Sequence, residues 1–109
     1  MRGGIVMKVT GRWGGSRNDQ TGAGYGIRIR ERDRKRHFDP DSTEVTVDLD
    51  GQEEVAVDLT PSFWRSCIEL RSPRIGAWML REGLAPWPTG HPPELELEPL
   101  GDARFRLYK

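Results

Sequence analysis

The chain has 109 residues, enough for one domain with its own core, and balances 17 Lys/Arg against 17 Asp/Glu for a formal net charge of zero. Hydrophobic residues make up 35% and include four Trp, three Phe and two Tyr, which argues against a disordered chain, and no apolar run is long enough to cross a membrane. The one cysteine, Cys67, excludes an internal disulfide; with no apolar N-terminal segment, it leads to the expectation of a reducing, cytoplasmic setting.

In chain order, "GIVMKV" reads as a first strand with Ile5, Met7 and Val9 on one face. The glycine-rich stretch Gly11 to Gly26 has no apolar periodicity and reads as a long mobile loop. In "YGIRIR", Tyr25, Ile27 and Ile29 face one way and Gly26, Arg28 and Arg30 the other, as a half-buried strand requires. A charged turn follows. "EVTVDLDGQEEVAVDL" is an antiparallel hairpin about an Asp-Gly turn, with Val45, Val47 and Leu49 matched by Val55, Val57 and Leu59. Thr60-Pro61 and Ser72-Pro73 each place a capping residue before a proline at the first helical position, opening helices over "PSFWRSCIEL" and "PRIGAWMLREG". Cys67 then shares a helix face with Phe63 and Trp64, and Ile75, Trp78 and Met79 form the apolar stripe of the second helix, which stops at Gly83. The proline-rich "APWPTGHPP" connects to a last hairpin, "ELELEPLGDARFRLY". A turn at Leu100-Gly101-Asp102 sets Glu98 opposite Arg104 and Glu96 opposite Arg106, with Leu95, Leu97, Phe105 and Leu107 on the other face. The order predicts a single α+β domain over residues 1–109. Its mainly antiparallel sheet, or open barrel, has two short helices between the central and C-terminal hairpins.

Neutrality is a sum of opposed blocks. Residues 1–37 hold ten Lys/Arg against three acids, and residues 38–60 hold eight acids and no base. Either the two blocks pair with each other across neighbouring strands, or the basic one binds a polyanion, since screening over roughly 8–10 Å partly isolates their fields.

Signals for catalysis are weak. His37, His91 and Cys67 carry no local nucleophile signature, so Cys67 reads as a small core residue. "DPDSTE" (Asp39 to Glu44) alternates acids but lacks the glycine and closing glutamate of a calcium loop, and "GAGYG" runs into a strand where a phosphate loop needs a helix. No catalytic residue, metal site or cofactor is expected. A binding surface remains. Arg12, Trp13, Arg17, Asn18 and Gln20 lie in the glycine-rich stretch, where Arg and Lys neutralise phosphates, Arg, Asn and Gln reach base edges, and Trp13 can stack or wedge. Arg28 and Arg30 follow on one strand face, then Arg32, Arg34, Lys35 and Arg36 in the turn. A winged helix–turn–helix is disfavoured, because "PRIGAWMLREG" has only Arg74 and Arg81 as bases and commits Ile75, Trp78 and Met79 to packing.

The run "YGIRIRERDRKRHFDPDSTEVTVDLDGQEEVAVDL", with "SFWRSCIEL" and the terminal strand pair, resembles the pseudobarrel DNA-binding domain shared by a plant transcription-factor family and the effector domains of some bacterial restriction enzymes. The resemblance covers about a third of the chain and implies an open barrel with two short helices, whose loops enter the DNA major groove. The expectation is a small non-enzymatic domain that binds nucleic acid, DNA in preference to RNA, as a component of a bacterial defence or mobile-element system. The alternative is a protein-interaction module, such as an adaptor, an inhibitor or a homodimer, using its opposed charge patches.

Overall fold

The computed structural model describes residues 5–109. Ten elements follow one another: β1 (Met7–Trp13), β2 (Tyr25–Arg28), α1 (Glu31–His37), β3 (Glu44–Leu49), β4 (Glu53–Asp58), α2 (Pro61–Arg65), β5 (Glu69–Arg71), α3 (Pro73–Arg81), β6 (Glu94–Gly101) and β7 (Arg104–Tyr108). The seven strands form one sheet in the order β4-β3-β7-β6-β1-β2-β5, antiparallel throughout except for β3 against β7. The edge strands β4 and β5 approach each other, so the sheet curls into a nearly closed barrel. The α+β class and the mainly antiparallel sheet agree with the sequence.

Strict alternation builds the interior. Met7 and Val9 of β1, Tyr25 and Ile27 of β2, Val45, Val47 and Leu49 of β3, Val55 and Val57 of β4, Leu70 of β5, and Leu95, Leu97, Phe105 and Leu107 of β6–β7 all point inward and are buried. Burying one such side chain stabilises the fold by about 1.5–3 kcal/mol. The central hairpin pairs Val45 with Val57 and Val47 with Val55. Asp50 (φ 53°) and Gly51 (φ 79°) form its turn, the left-handed pair that an Asp-Gly hairpin requires. Two aromatic clusters complete the core. Phe38 stacks on Phe105 and tilts against Phe63, while Trp13, Tyr25 and Trp87 meet in a second group.

Several expectations are corrected. The first strand begins at Met7 and runs on to Trp13, and Ile5 is 63% exposed; Gly4 lies outside the described residues. The residues between β1 and β2 are not a loose loop. Gly14 N–H donates to the Gly24 carbonyl at 2.8 Å and Asn18 N–H to the Ala23 carbonyl at 2.8 Å. The turn also packs on α3 so closely that a Cβ on Gly76 would lie 2.0 Å from the Gly22 carbonyl oxygen. The charged turn after β2 is the helix α1. The expected ten-residue helix from Pro61 stops at Arg65, where Thr60 makes no capping bond to the backbone, and the chain re-enters the sheet as β5. Cys67 therefore lies between α2 and β5, off any helix face. Ser72 does cap α3, its hydroxyl accepting from Arg74 N–H at 3.1 Å. In the last hairpin the two-residue turn is Asp102-Ala103, and an irregularity between Pro99 and Gly101 sets Glu98 opposite Arg106 and Glu96 opposite Tyr108. The register differs by two residues from the expected one, so every side chain keeps its face.

Candidate functional site

Three acids of the acidic block, Asp48, Glu53 and Glu54, find partners late in the chain. Glu53 accepts from Arg74 at 2.8 and 3.2 Å and from Arg81 at 3.0 Å; these bonds, Arg74 first, hold its carboxyl below the usual carboxylate range. Glu54 pairs with Arg104, and Asp48 with Arg106 at 3.0 Å. Among the described residues, no carboxylate of 38–60 pairs with a base of the first 37 residues. Among the described residues, the N-terminal bases have Asp19, Glu31 and Glu69 as ion-pair partners, and most of them gather on one surface.

That surface is the outer face of β1, β2 and β5. Alternation turns Lys8, Thr10 and Arg12 of β1 outward, and the register sets Thr10 beside Arg28 and Arg28 beside Glu69 in one row, Arg12 beside Gly26 and Gly26 beside Arg71 in the next. Gly26 is the floor of the second row. A Cβ there would lie 2.4 Å from the Leu70 carbonyl oxygen and 3.1 Å from Arg71 Cγ, so glycine is what lets β5 and the stem of Arg71 pack this closely on β2. At the centre is Glu69, whose side chain is 1% exposed. Its Oε2 accepts from Arg12 Nε and, at 3.2 Å, from Arg28 Nη2, and its Oε1 lies 3.4 Å from Arg71 Nε. Burial pushes the Glu69 carboxyl up. Hydrogen bonds from the Cys67 thiol, Arg12 and Arg28 outweigh that and hold it below the usual range. Three guanidiniums therefore surround one carboxylate. Arg28 and Arg71 are more than half exposed, at 63% and 53%, so their remaining donors face solvent.

The candidates at the end of β1 and in the β1–β2 connection make contacts within the fold. Arg12 also donates to the Trp13 carbonyl. Trp13 is covered on both faces: Trp87 stacks on it at 4.3 Å with 16° between the planes, and the Arg17 guanidinium lies 3.7 Å over the ring. No face is open for a base, so the expected stacking or wedging role does not fit this conformation. Arg17 is also 3.4 Å from Asp19, whose carboxylate accepts from the Tyr25 hydroxyl at 2.6 Å; burial first, then this bond, pushes the Tyr25 hydroxyl up to about 12. Asn18 turns its side-chain oxygen back to the N–H groups of Gln20 and Thr21, while the Gln20 side chain is exposed.

The remaining candidates sit on or beside α1. Arg34 is buried and its Nη1 donates to the Phe63 carbonyl at 3.0 Å, tying α1 to α2. Lys35 is exposed and pairs with Glu31 at 3.6 Å, one turn away. Arg32 and Arg36, four residues apart, share the exposed stripe, and Arg30 is exposed just before the helix. Among the described residues none of these three has a carboxylate partner. Arg28 separates two shallow grooves. One, of about 120 Å³, is lined by Lys8, Thr10, Arg28, Arg30 and Glu94 among others; the second, of about 300 Å³, is lined by Arg28, Ser66, Cys67 and Glu69. Sequence reasoning missed Glu69, Arg71 and Lys8 as members of this face. The signal was the alternation Glu69, Leu70, Arg71, which the capping residues before Pro61 masked by suggesting one long helix.

Elsewhere, Asp39 and Ser42 border an open cavity of about 460 Å³ with His37 and Arg104. Among the described residues no three His, Cys, Asp or Glu side chains are grouped to hold a metal ion, and no helix is long and apolar enough to cross a membrane. Comparison with protein-family models, curated proteins and solved structures finds nothing that matches this chain.

Proposed function

We propose that the chain is a non-enzymatic nucleic-acid-binding domain that takes duplex DNA in preference to RNA. Its contact surface is the outer face of β1–β2–β5 with the exposed stripe of α1. The observation that carries this reading is the separation of charge. The acidic hairpin is engaged by Arg74, Arg81, Arg104 and Arg106, so the basic residues 28–36 keep their field. Exposed guanidiniums on a sheet face neutralise phosphates without reading sequence, which supplies affinity first. A cytoplasmic defence or mobile-element setting belongs to the same reading. The protein-interaction alternative has less support, because three of the acids that motivated it, Asp48, Glu53 and Glu54, are paired inside the molecule.

The test is fluorescence anisotropy with a labelled duplex across salt concentrations. Each phosphate contact contributes roughly 0.9 to the slope of log affinity against log salt. Four to five contacts, about what Arg28, Arg30, Arg32, Arg36 and Arg71 can make together, give a slope near ~4. A flat response, or no binding at low salt, contradicts the proposal; stronger competition by RNA than by duplex DNA contradicts the choice of partner.

A further inference from the structure

We infer that Arg12, Arg28 and Arg71, gathered by Glu69, form a clamp for a single phosphate oxyanion, which the backbone phosphodiester of bound nucleic acid supplies. The identity of that source rests on the reading above; the clamp itself rests on geometry. One carboxylate, 1% exposed, receives three guanidiniums, a local excess of two positive charges; no other described carboxylate lies within ion-pair distance of them, Glu94 lining the groove beside Arg28 and Asp58 the groove beside Arg71. Guanidiniums on neighbouring strands repel one another unless an anion lies between them. Glu69 fills that place from below, and the solvent side is open. Each guanidinium has five N–H donors in a rigid fork. Arg28 uses one on Glu69; Arg71 Nε lies 3.4 Å from Glu69 Oε1, which accepts no hydrogen bond from the described residues, and Arg71 Nη2 donates toward the Cys67 sulfur at 3.6 Å, so donors remain on both for a second acceptor.

A tetrahedral phosphate can accept from two such forks at once, and its charge offsets the excess. A guanine edge also accepts from arginine, but it is neutral and leaves the excess in place. Arg28 is reached on both sides, through the grooves that carry the hydroxyl-bearing residues Thr10 and Ser66, and Arg71 through a third groove that it shares with Glu69, Thr60 and Ser72. Glu69 is then a positioning residue. It holds the forks in place before the ligand arrives, so that less side-chain freedom is lost on binding.

The experiment compares two double variants with equal charge loss, Arg28→Ala/Arg71→Ala and Arg32→Ala/Arg36→Ala, in binding a labelled duplex at one salt concentration. The expected result is a loss about tenfold greater for the first pair, since it removes formed charge-assisted bonds while the second removes diffuse charge. Equal losses overturn the clamp and leave the nucleic-acid reading intact. A third variant, Arg28→Lys/Arg71→Lys, keeps the net charge and guards against failure of the alanine pair to fold. It is expected to bind more weakly than the unmodified chain with an unchanged salt slope, and unchanged affinity overturns the clamp. Inorganic phosphate titrated against the arginine Nε–H resonances separates the two sources of the oxyanion. If duplex does not bind but phosphate shifts Arg28 and Arg71, the clamp stands and the nucleic-acid reading fails; if neither ligand acts, both fail.

Discussion

Arg34 tests whether the charged segment after β2 is an anchored helix. Its side chain is 9% exposed and its Nη1 donates to the Phe63 carbonyl at 3.0 Å, the tie between α1 and α2. Arg34→Met keeps most of the aliphatic stem and its packing but removes the donor. Two effects oppose. Losing a buried charge relieves desolvation, while the Phe63 carbonyl loses the side-chain donor that the structure gives it. A hydrogen bond to a charged group contributes about 1.5–3 kcal/mol, and the lone buried acceptor keeps the cost near that range, so a net loss of about 2 kcal/mol is expected. For a chain of this length that lowers Tm by roughly 9 °C. Urea unfolding followed by tryptophan fluorescence should show a lower midpoint at unchanged m-value. DNA affinity should fall with it, because Arg32 and Arg36 are placed by the same helix. A loss below about 0.5 kcal/mol, the usual size of a surface effect, would refute the anchoring.

Gly76→Ala lies inside α3, where alanine ordinarily stabilises by about 1 kcal/mol, but the new Cβ would meet the Gly22 carbonyl at 2.0 Å; a net loss of about 1–3 kcal/mol is expected by thermal melting, and a gain would refute the packing of the β1–β2 connection on the helix. Ala103 holds φ at 59°, so Ala103→Gly should raise stability by about 0.5–1 kcal/mol in urea, unless the turn differs from that described. Glu69 has its carboxyl held below the usual range, so its contribution is present above the ordinary value of about 4.3 and is lost as pH falls through the lower folded value. Glu69→Gln should therefore be less stable than the unmodified chain at neutral pH, with the gap closing at strongly acid pH; a gap of equal size at pH 7 and in strong acid would mean that the carboxylate charge is not what holds the arginines.

The parts of the fold visible in the sequence are those fixed by neighbours in the chain. Val45 to Leu59 reads as a hairpin because alternation and an Asp-Gly turn coincide, and α3 because Ser72, Pro73 and the stripe Ile75, Trp78, Met79 agree. The parallel pairing of β3 with β7 joins residues far apart in sequence, with no local signature. Helix α1 has no apolar stripe, so periodicity is silent. Its helical signals are of another kind: strong helix formers, Glu31 and Asp33 in the first turn, bases in the last, and the Glu31–Lys35 spacing. For the candidate site, alternation alone places Arg28 on the outward face of β2; Arg30 is exposed as well, but the strand ends at Arg28 and Arg30 is the residue that leads into α1. The engagement of Arg12, Trp13, Arg17 and Asn18 within the fold depends on Glu69, Trp87 and the turn's own backbone, none of which local pattern connects to them.

The central claim is that one face, built from β1, β2, β5 and α1, meets the polyanion. Backbone amide chemical shifts of isotopically labelled protein, recorded as duplex DNA is titrated in, test it most directly. The account requires perturbations concentrated at residues 8–12, 28–36 and 66–71, with the hairpin of residues 44–58 little changed. Perturbations centred on that hairpin or on the β6–β7 turn, or none at low salt, would contradict it.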